Sequence, residues 1–329
     1  MDWSYLKHII QNNDAFVVTS HIGLDGDAVG SAVALDSYLK RCGKKSVIIT
    51  QDPIPEVLRF IVNGNETYTA DQKNLAEIIK KCDVAFVVDV SKYDHVGETA
   101  WQLIQAFSKH VVCIDHHRCD EPLGDYAYID TTASSVGILL YDLFTAYDPS
   151  LIDIPIASAL YTTILTDTGN FKFSNTNPHA YKVAGELLQK NINHSAICQA
   201  IHENYSWSRF GLLHETLGTL TKEADGKIAW MKITQAALEK THATFEDSDG
   251  FVDIPRTISH VEVSILFREI DNQTTRATFR SKNYVEVNKL AGGFGGGGHA
   301  RAAGATLNCP IDEAVIKVIN QTKGFLHYA

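Results

Sequence analysis

A chain of 329 residues, 45% of them hydrophobic, holds enough apolar side chains for two domains, each with its own core. Its formal charge of −10 at neutral pH argues against a large duplex-binding surface, because duplexes are held mainly by Lys and Arg neutralising phosphates. Small or short anionic substrates stay open if metal ions supply the positive charge. Cys42, Cys82, Cys113, Cys119, Cys198 and Cys309 form no Cys-x-x-Cys pair and read as reduced thiols. The start, Met1-Asp2-Trp3-Ser4, lacks the basic and apolar segments of a signal peptide. No apolar run approaches the ~20 residues that span a bilayer. The expectation is a soluble cytoplasmic protein with no membrane partner.

Residues 5–12 predict a short helix, and Ala15-Phe16-Val17-Val18-Thr19 a first core strand. The strand runs into His21, Asp25 and Asp27, then into a helix rich in small residues. A plain alternative exists for this loop: Asp27 as an N-cap and Asp25-Gly26 as a turn, which leaves His21 unexplained. Further strands are expected at 46–50, 84–89 (ending on Asp89) and 111–114 (running into Asp115-His116-His117). Helices are expected at 71–81 and 97–107 between them. Such alternation predicts an α/β fold with a mostly parallel sheet covered on both faces. The carboxyl ends of parallel strands share one edge, so these loops can converge.

Residues 133–146 predict a helix capped near Thr131-Thr132, and 155–165 another that leads to Asp167-Thr168-Gly169. Taken alone, an Asp followed by a Gly turn is more often structural. The pattern stays helical from 178 to about 220, broken near 191–193 and 206–208. A second, smaller α/β domain opens with a hairpin at Ala224-Asp225-Gly226-Lys227 and a strand at 228–233. Strands at 260–268 and 275–280, a helix at 285–291 and a closing helix at 311–322 follow. Between those helices lies the run Gly292-Gly293-Phe294-Gly295-Gly296-Gly297-Gly298-His299. A glycine run is usually a linker, but this one sits inside a folded domain, where glycine amides can approach an anion closely.

Five Asp and three His thus lie at strand or helix ends of one domain. Hard and intermediate cations take oxygen and imidazole ligands. The pattern lacks the Cys or three-His sets usual for zinc. Two ions near each other suit phosphoryl chemistry, and that arrangement needs a bridging carboxylate and ligands from several segments.

Taken together, His21-x3-Asp25-x-Asp27, Asp89, Asp115-His116-His117, Asp167-Thr168-Gly169 and Gly296-Gly297-Gly298-His299-x2-Ala302-Ala303-Gly304 resemble the DHH phosphoesterase superfamily. More narrowly, the chain is similar to the DHH–DHHA1 nanoRNase and pAp phosphatase group, relatives of the RecJ exonucleases. The resemblance covers nearly the whole chain. It implies a catalytic DHH domain over residues 1–190, a helical connector over 191–221 and a substrate-binding DHHA1 domain over 222–329, with the active site in the cleft between domains. It also implies two divalent metal ions, by expectation Mn²⁺, with Mg²⁺ or Co²⁺ as alternatives. His21 and Asp25 would hold one ion, Asp27, His116 and Asp167 the other, and Asp89 would bridge them. Asp115 would orient a neighbouring imidazole, and His117 would lie near the scissile phosphate. Arg280, Ser281 and Lys282, with Gly297, Gly298 and His299, would clamp a substrate phosphate.

The implied activity is hydrolysis of very short oligoribonucleotides to mononucleotides, and of pAp to AMP. The alternative is a phosphodiesterase for cyclic dinucleotides or their linear products. A pyrophosphatase and a non-catalytic nucleotide-binding protein are weaker alternatives, and a homodimer stays open. Leu24 stands where the family usually has Pro, which changes loop stiffness and removes no ligand. Ala300-Arg301 is a variable pair within the glycine-rich motif.

Overall fold

Runs of β-branched and aromatic residues alternate with amphipathic helices, and each run finds its place in one of two sheets. The computed structural model describes residues 2–62, 64–90, 92–119, 121 and 123–326. The chain divides into two units, Met1–Asn204 and Tyr205–Ala329. The division falls inside the expected connector, so helix His194–His202 belongs to the first unit and helix Trp207–Leu217 to the second.

The first unit begins with α1 (Ser4–Asn12), β1 (Ala15–Thr19), α2 (Gly26–Arg41), β2 (Lys45–Thr50) and β3 (Thr67–Thr69). It continues through α3 (Leu75–Ile79), β4 (Val84–Val88), α4 (Tyr93–Val96), α5 (Glu98–Phe107), β5 (His110–Asp115) and β6 (Tyr126–Ile129). Helices α6 (Val136–Tyr147), α7 (Ile154–Asp167), α8 (Pro178–Leu188) and α9 (His194–His202) complete it. The six strands are parallel in the order β3-β2-β1-β4-β5-β6. The chain builds outward from β1 to β3, then returns to start β4 on the other side of β1. That reversal opens a crevice at the carboxyl ends of β1 and β4, the place where open α/β sheets bind ligands.

Both sheet faces are buried. Phe16 and Val18 pack with α1, α2, α6 and α7, while Val17 packs on the opposite face with α3 and α5. Gly26 and Gly30 let α2 lie against α7. A Cβ on Gly26 would fall 2.3 Å from the Thr166 side chain, and one on Gly30 would fall 2.6 Å from Thr163.

Three local expectations change. Edge strands β3 and β6 were not anticipated, because half-exposed edges carry no alternating apolar pattern. Asp25, not Asp27, caps α2, accepting from the amides of Asp27 and Ala28 at 3.0 Å each. The helix expected from 133 starts instead at Val136 with Ser135 as N-cap residue. Before it, the Asp130 carboxylate holds a turn by accepting from the Thr132 amide and hydroxyl.

The second unit consists of α10 (Trp207–Leu217), β7 (Thr221–Glu223), β8 (Ile228–Ile233), α11 (Gln235–Thr241), α12 (Asp253–Arg256), β9 (Val263–Asp271), β10 (Thr274–Ser281), α13 (Val287–Gly292), β11 (Gly297–His299), β12 (Ala302–Leu307) and α14 (Ile311–Phe325). Its sheet has the order β11-β12-β10-β9-β8-β7, with β8 and β9 parallel and the other pairs antiparallel. Phe267, Phe279 and Ile265 pack with α13 and α14 on one face, and Met231, Ile233 and Leu266 pack with α10 and Phe251 on the other. The glycine run is neither linker nor open loop along its whole length. Gly297, Gly298 and His299 form β11 and pair with Gly304, Ala303 and Ala302. Gly298 has φ 139°, and a Cβ there would lie 2.5 Å from the Ala302 carbonyl oxygen.

Candidate metal centre

Every DHH-type residue singled out in the first unit comes to the carboxyl edge of the parallel sheet. His21 follows β1, Asp25 and Asp27 open α2, Asp89 follows β4, Asp115 ends β5 with His116 and His117 just beyond, and Asp167 ends α7. Their ligand-capable atoms form three groups, each within 4.8 Å: His21 with Asp25 and Asp89; Asp27 with His116 and Asp167; Asp89 with His116 and His117.

Asp89 faces two ways. Its Oδ2 lies 3.4 Å from His21 Nε2, while its Oδ1 lies 3.7 Å from His116 Nε2 and 3.5 Å from His117 Nδ1. His116 Nε2 is also 3.7 Å from Asp27 Oδ2 and 3.5 Å from Asp167 Oδ2. The other ring nitrogen of His116 donates to the Ala133 carbonyl at 3.1 Å, which leaves the Nε2 lone pair aimed at the carboxylates. Among the described residues, buried His116 Nε2 and Asp89 Oδ1 have no hydrogen-bond partner. Buried polar atoms are rarely left this way, and a cation between them would satisfy both.

The electrostatics agree. Burial first, then the charges of Asp89 and Asp167, push the Asp27 carboxyl well above the usual range. Burial raises Asp89 too, although the His21 bond pulls against it. Burial likewise pushes Asp167 up to about 6. For His21, burial opposes the charged ring, but Asp25 and Asp89 outweigh it and carry the group up to about 11. Carboxylates crowded in this way repel one another, and divalent charge relieves that repulsion. The donors are oxygen and imidazole, as an ion such as Mn²⁺ accepts. The residues present therefore fit a metal centre.

Neighbouring groups fix the cluster. Asp27 accepts from the Val136 amide at 2.8 Å, the Gly137 amide at 3.3 Å and the Ser31 hydroxyl at 3.0 Å, so it sits at the positive end of α6. Asp115 Oδ1 accepts from the His116 and His117 amides and from His117 Nδ1 at 2.9 Å. That last bond, ahead of an opposing burial effect, pushes His117 up to about 9. Asn175 Nδ2 donates to the Asp167 carbonyl at 3.0 Å, to Asp167 Oδ2 at 3.4 Å and to the Ser134 carbonyl at 3.1 Å. The sequence reading missed Ser31, Ala133 and Asn175. Ser31 lies one turn after Asp27 and was readable in principle, whereas a backbone carbonyl and a loop amide give no periodic signal.

The remaining candidates lie in the second unit. Arg280 pairs with Ala302, which pairs with His299, so Arg280 and His299 occupy one row across β10, β12 and β11. The Ser281 hydroxyl is buried and donates to the Val285 carbonyl at 2.6 Å. Lys282 Nζ donates to the Ile258 carbonyl at 2.8 Å. Gly297 and Gly298 are exposed on β11.

The parallel sheet with carboxylates and imidazoles at its switch point, followed by a mixed-sheet unit, defines a phosphoesterase architecture. Residues 15–164 match the DHH family N-terminal domain and residues 226–324 the DHHA1 domain, so the chain belongs to the DHH–DHHA1 family. Within that family it is similar to a bifunctional oligoribonuclease and PAP phosphatase, NrnA, of Thermus thermophilus, with 28% identity over 93% of this chain and 88% of the relative. The Bacillus subtilis protein of the same description is 28% identical over 89% of this chain and 90% of its own length. Among solved structures, an exopolyphosphatase-related protein from Bacteroides fragilis superposes with a TM-score of 0.91 at 28% identity, covering 96% of this chain and 94% of that one. Among the described residues no helix is long and apolar enough to cross a membrane.

Proposed function

We propose that this chain is a metal-dependent phosphoesterase that hydrolyses short oligoribonucleotides to mononucleotides and removes the 3′-phosphate of pAp. The observation that carries the reading is Asp89, whose two oxygens face two separate sets of ligand atoms. In this reading His21 and Asp25 hold one divalent ion, Asp27, His116 and Asp167 hold a second, and Asp89 serves both. Such ions supply Lewis acidity toward phosphate oxygens and water. Asp115 holds the His117 ring in one orientation by accepting from its Nδ1, which suits a donor to a departing oxygen. Arg280 and the loop ending at His299 receive a substrate phosphate, for which the planar guanidinium fork is well shaped. The curated relatives, named for both activities and matched along nearly their full length, support the substrate class.

Product analysis with Mn²⁺ tests the proposal on a 5′-phosphorylated RNA dinucleotide, a longer RNA, pAp and pyrophosphate offered separately. Release of mononucleotides from the dinucleotide, with pAp also cleaved, is the expected result. Cleavage of pyrophosphate alone, or no turnover with metal demonstrably bound, overturns it.

A further inference from the structure

The segment after Asp167 is strained, aromatic and unused by the chemistry above. Gly169, Asn170 and Phe171 follow one another at φ 55°, 59° and 61°. Asn tolerates this left-handed region, but a bulky Phe there is an outlier, and strain of this kind gathers at ligand-contact sites. Its local effect is to separate two rings. Phe171 turns inward, packs against the core of the first unit and stacks on Tyr181 with centroids 5.0 Å apart and planes 17° from parallel. Phe173 turns outward and is 49% exposed, although it is among the most apolar of side chains.

Phe173 is also held close to the metal centre. The far end of its ring rests over Gly169, where a Cβ would lie only 2.4 Å from Cζ. Its amide donates to the Thr168 carbonyl at 2.9 Å. Two residues on, Asn175 closes the loop by donating to the Asp167 carbonyl. The loop therefore leaves Asp167 and returns to it, carrying Phe173 between. Lys172, the exposed residue that precedes Phe173 in the chain, adds a positive charge to the loop. An exposed aromatic next to a cation is the pairing that single-stranded nucleic acids use, the base stacking on the ring while the cation attracts the backbone.

We infer that Phe173 is a stacking platform for a nucleobase of the substrate, adjacent to the phosphate attacked at the metal centre. The inference rests on the phosphoesterase reading and adds a base-binding position to it. A stacking ring accepts any base, so it favours nucleotides over base-free phosphoesters without reading sequence.

The test compares wild type, F173L and F173W on 5′-phosphorylated diadenylate and on abasic versions of the same dinucleotide, each lacking one base. Leucine keeps an apolar side chain over Gly169 and removes the π face, so melting temperature and solution mass should match wild type. On diadenylate, F173L should raise KM about tenfold and leave kcat within about twofold, in line with the loss of one base–aromatic stack. F173W should restore the wild-type KM. On one of the two abasic substrates, wild type and F173L should not differ, and that substrate identifies the stacked base. Equal losses on all substrates, or no change on any, overturn the stacking role while leaving the phosphoesterase reading intact. If wild type cleaves none of these substrates, both fall.

Discussion

Two buried carboxylate sites in this chain are built on opposite principles. In the first unit, Asp27, Asp89 and Asp167 crowd one sheet edge, their carboxyls pushed up by burial, and Asp89 Oδ1 and His116 Nε2 have no hydrogen-bond partner among the described residues. In the second unit, Glu262 is 4% exposed and fully engaged. Its carboxylate accepts from the amides of Asn283, Tyr284 and Val285 and from Asn283 Nδ2, all at 2.8–3.1 Å. Burial opposes its charge, but these donors outweigh it and hold the group below the usual glutamate range. One site is complete in protein atoms alone; the other has the donor set to hold a cation. Burial of a carboxylate therefore signals a ligand site only when the donors around it are missing.

The strongest way to break this contrast is Asp89→Asn. Loss of the shared carboxylate should lower dinucleotide turnover by at least about 10³-fold, as removal of a key electrostatic group commonly does. The same change removes a buried charge from a repulsive cluster, so the metal-free variant should melt at least as high as metal-free wild type. Calorimetry after chelation reads this directly, and a variant that melts several degrees lower would mean that Asp89 is structural. Added Mn²⁺ should raise the melting temperature of wild type, because an ion at 100 times its Kd stabilises the folded state by about 2.7 kcal/mol. Asp89→Asn should respond much less.

The second site should behave in the reverse manner. Glu262→Ala leaves three loop amides without their acceptor. Unsatisfied buried donors cost about 1–3 kcal/mol each, partly relieved by entering water, so a loss of about 3 kcal/mol in denaturant unfolding is expected. Because Glu262 holds the loop that follows Arg280 and Lys282, substrate KM should rise as well. Metal affinity should not change.

This contrast also explains how much was legible in the sequence. Parallel strands β1, β2, β4 and β5 announced themselves as apolar runs, and polar residues placed just past their ends converge by topology alone. His21, Asp25, Asp27, Asp89 and Asp115-His116-His117 were visible for that reason. Asp167 was visible less directly: it ends a helix, and an Asp before a Gly turn is more often structural, so it counted only as one of several carboxylates at element ends. Glu262 was missed because its partners are backbone amides 21 to 23 residues away, brought close by the β9–β10 hairpin. The tie from Asn175 to Asp167 belongs to the same class. Replacing Asn175 with Ala should weaken Mn²⁺ binding about tenfold, the lower end of the usual range for loss of a group that orients a ligand. Titration calorimetry distinguishes this from a stability effect alone.

The smallest expected effect concerns pH and isolates Glu262 from the other carboxylates. Its carboxyl titrates below the usual glutamate value of 4.5 in the folded chain and near that value once unfolded. Between those two values the unfolded chain binds more protons, so stability rises with pH there. The contribution of Glu262 is thus fully present above about pH 5.5 and is lost as pH falls through the folded value. Glu262→Gln lacks that titration and retains one acceptor for the loop amides. The stability gap between wild type and Glu262→Gln, measured by urea unfolding from pH 6 to pH 3, should stay constant at the upper end and narrow steadily below about pH 4.5. A gap independent of pH would mean that the amides hold a neutral carboxyl as well as a charged one, and Glu262 would then owe its place to shape rather than charge.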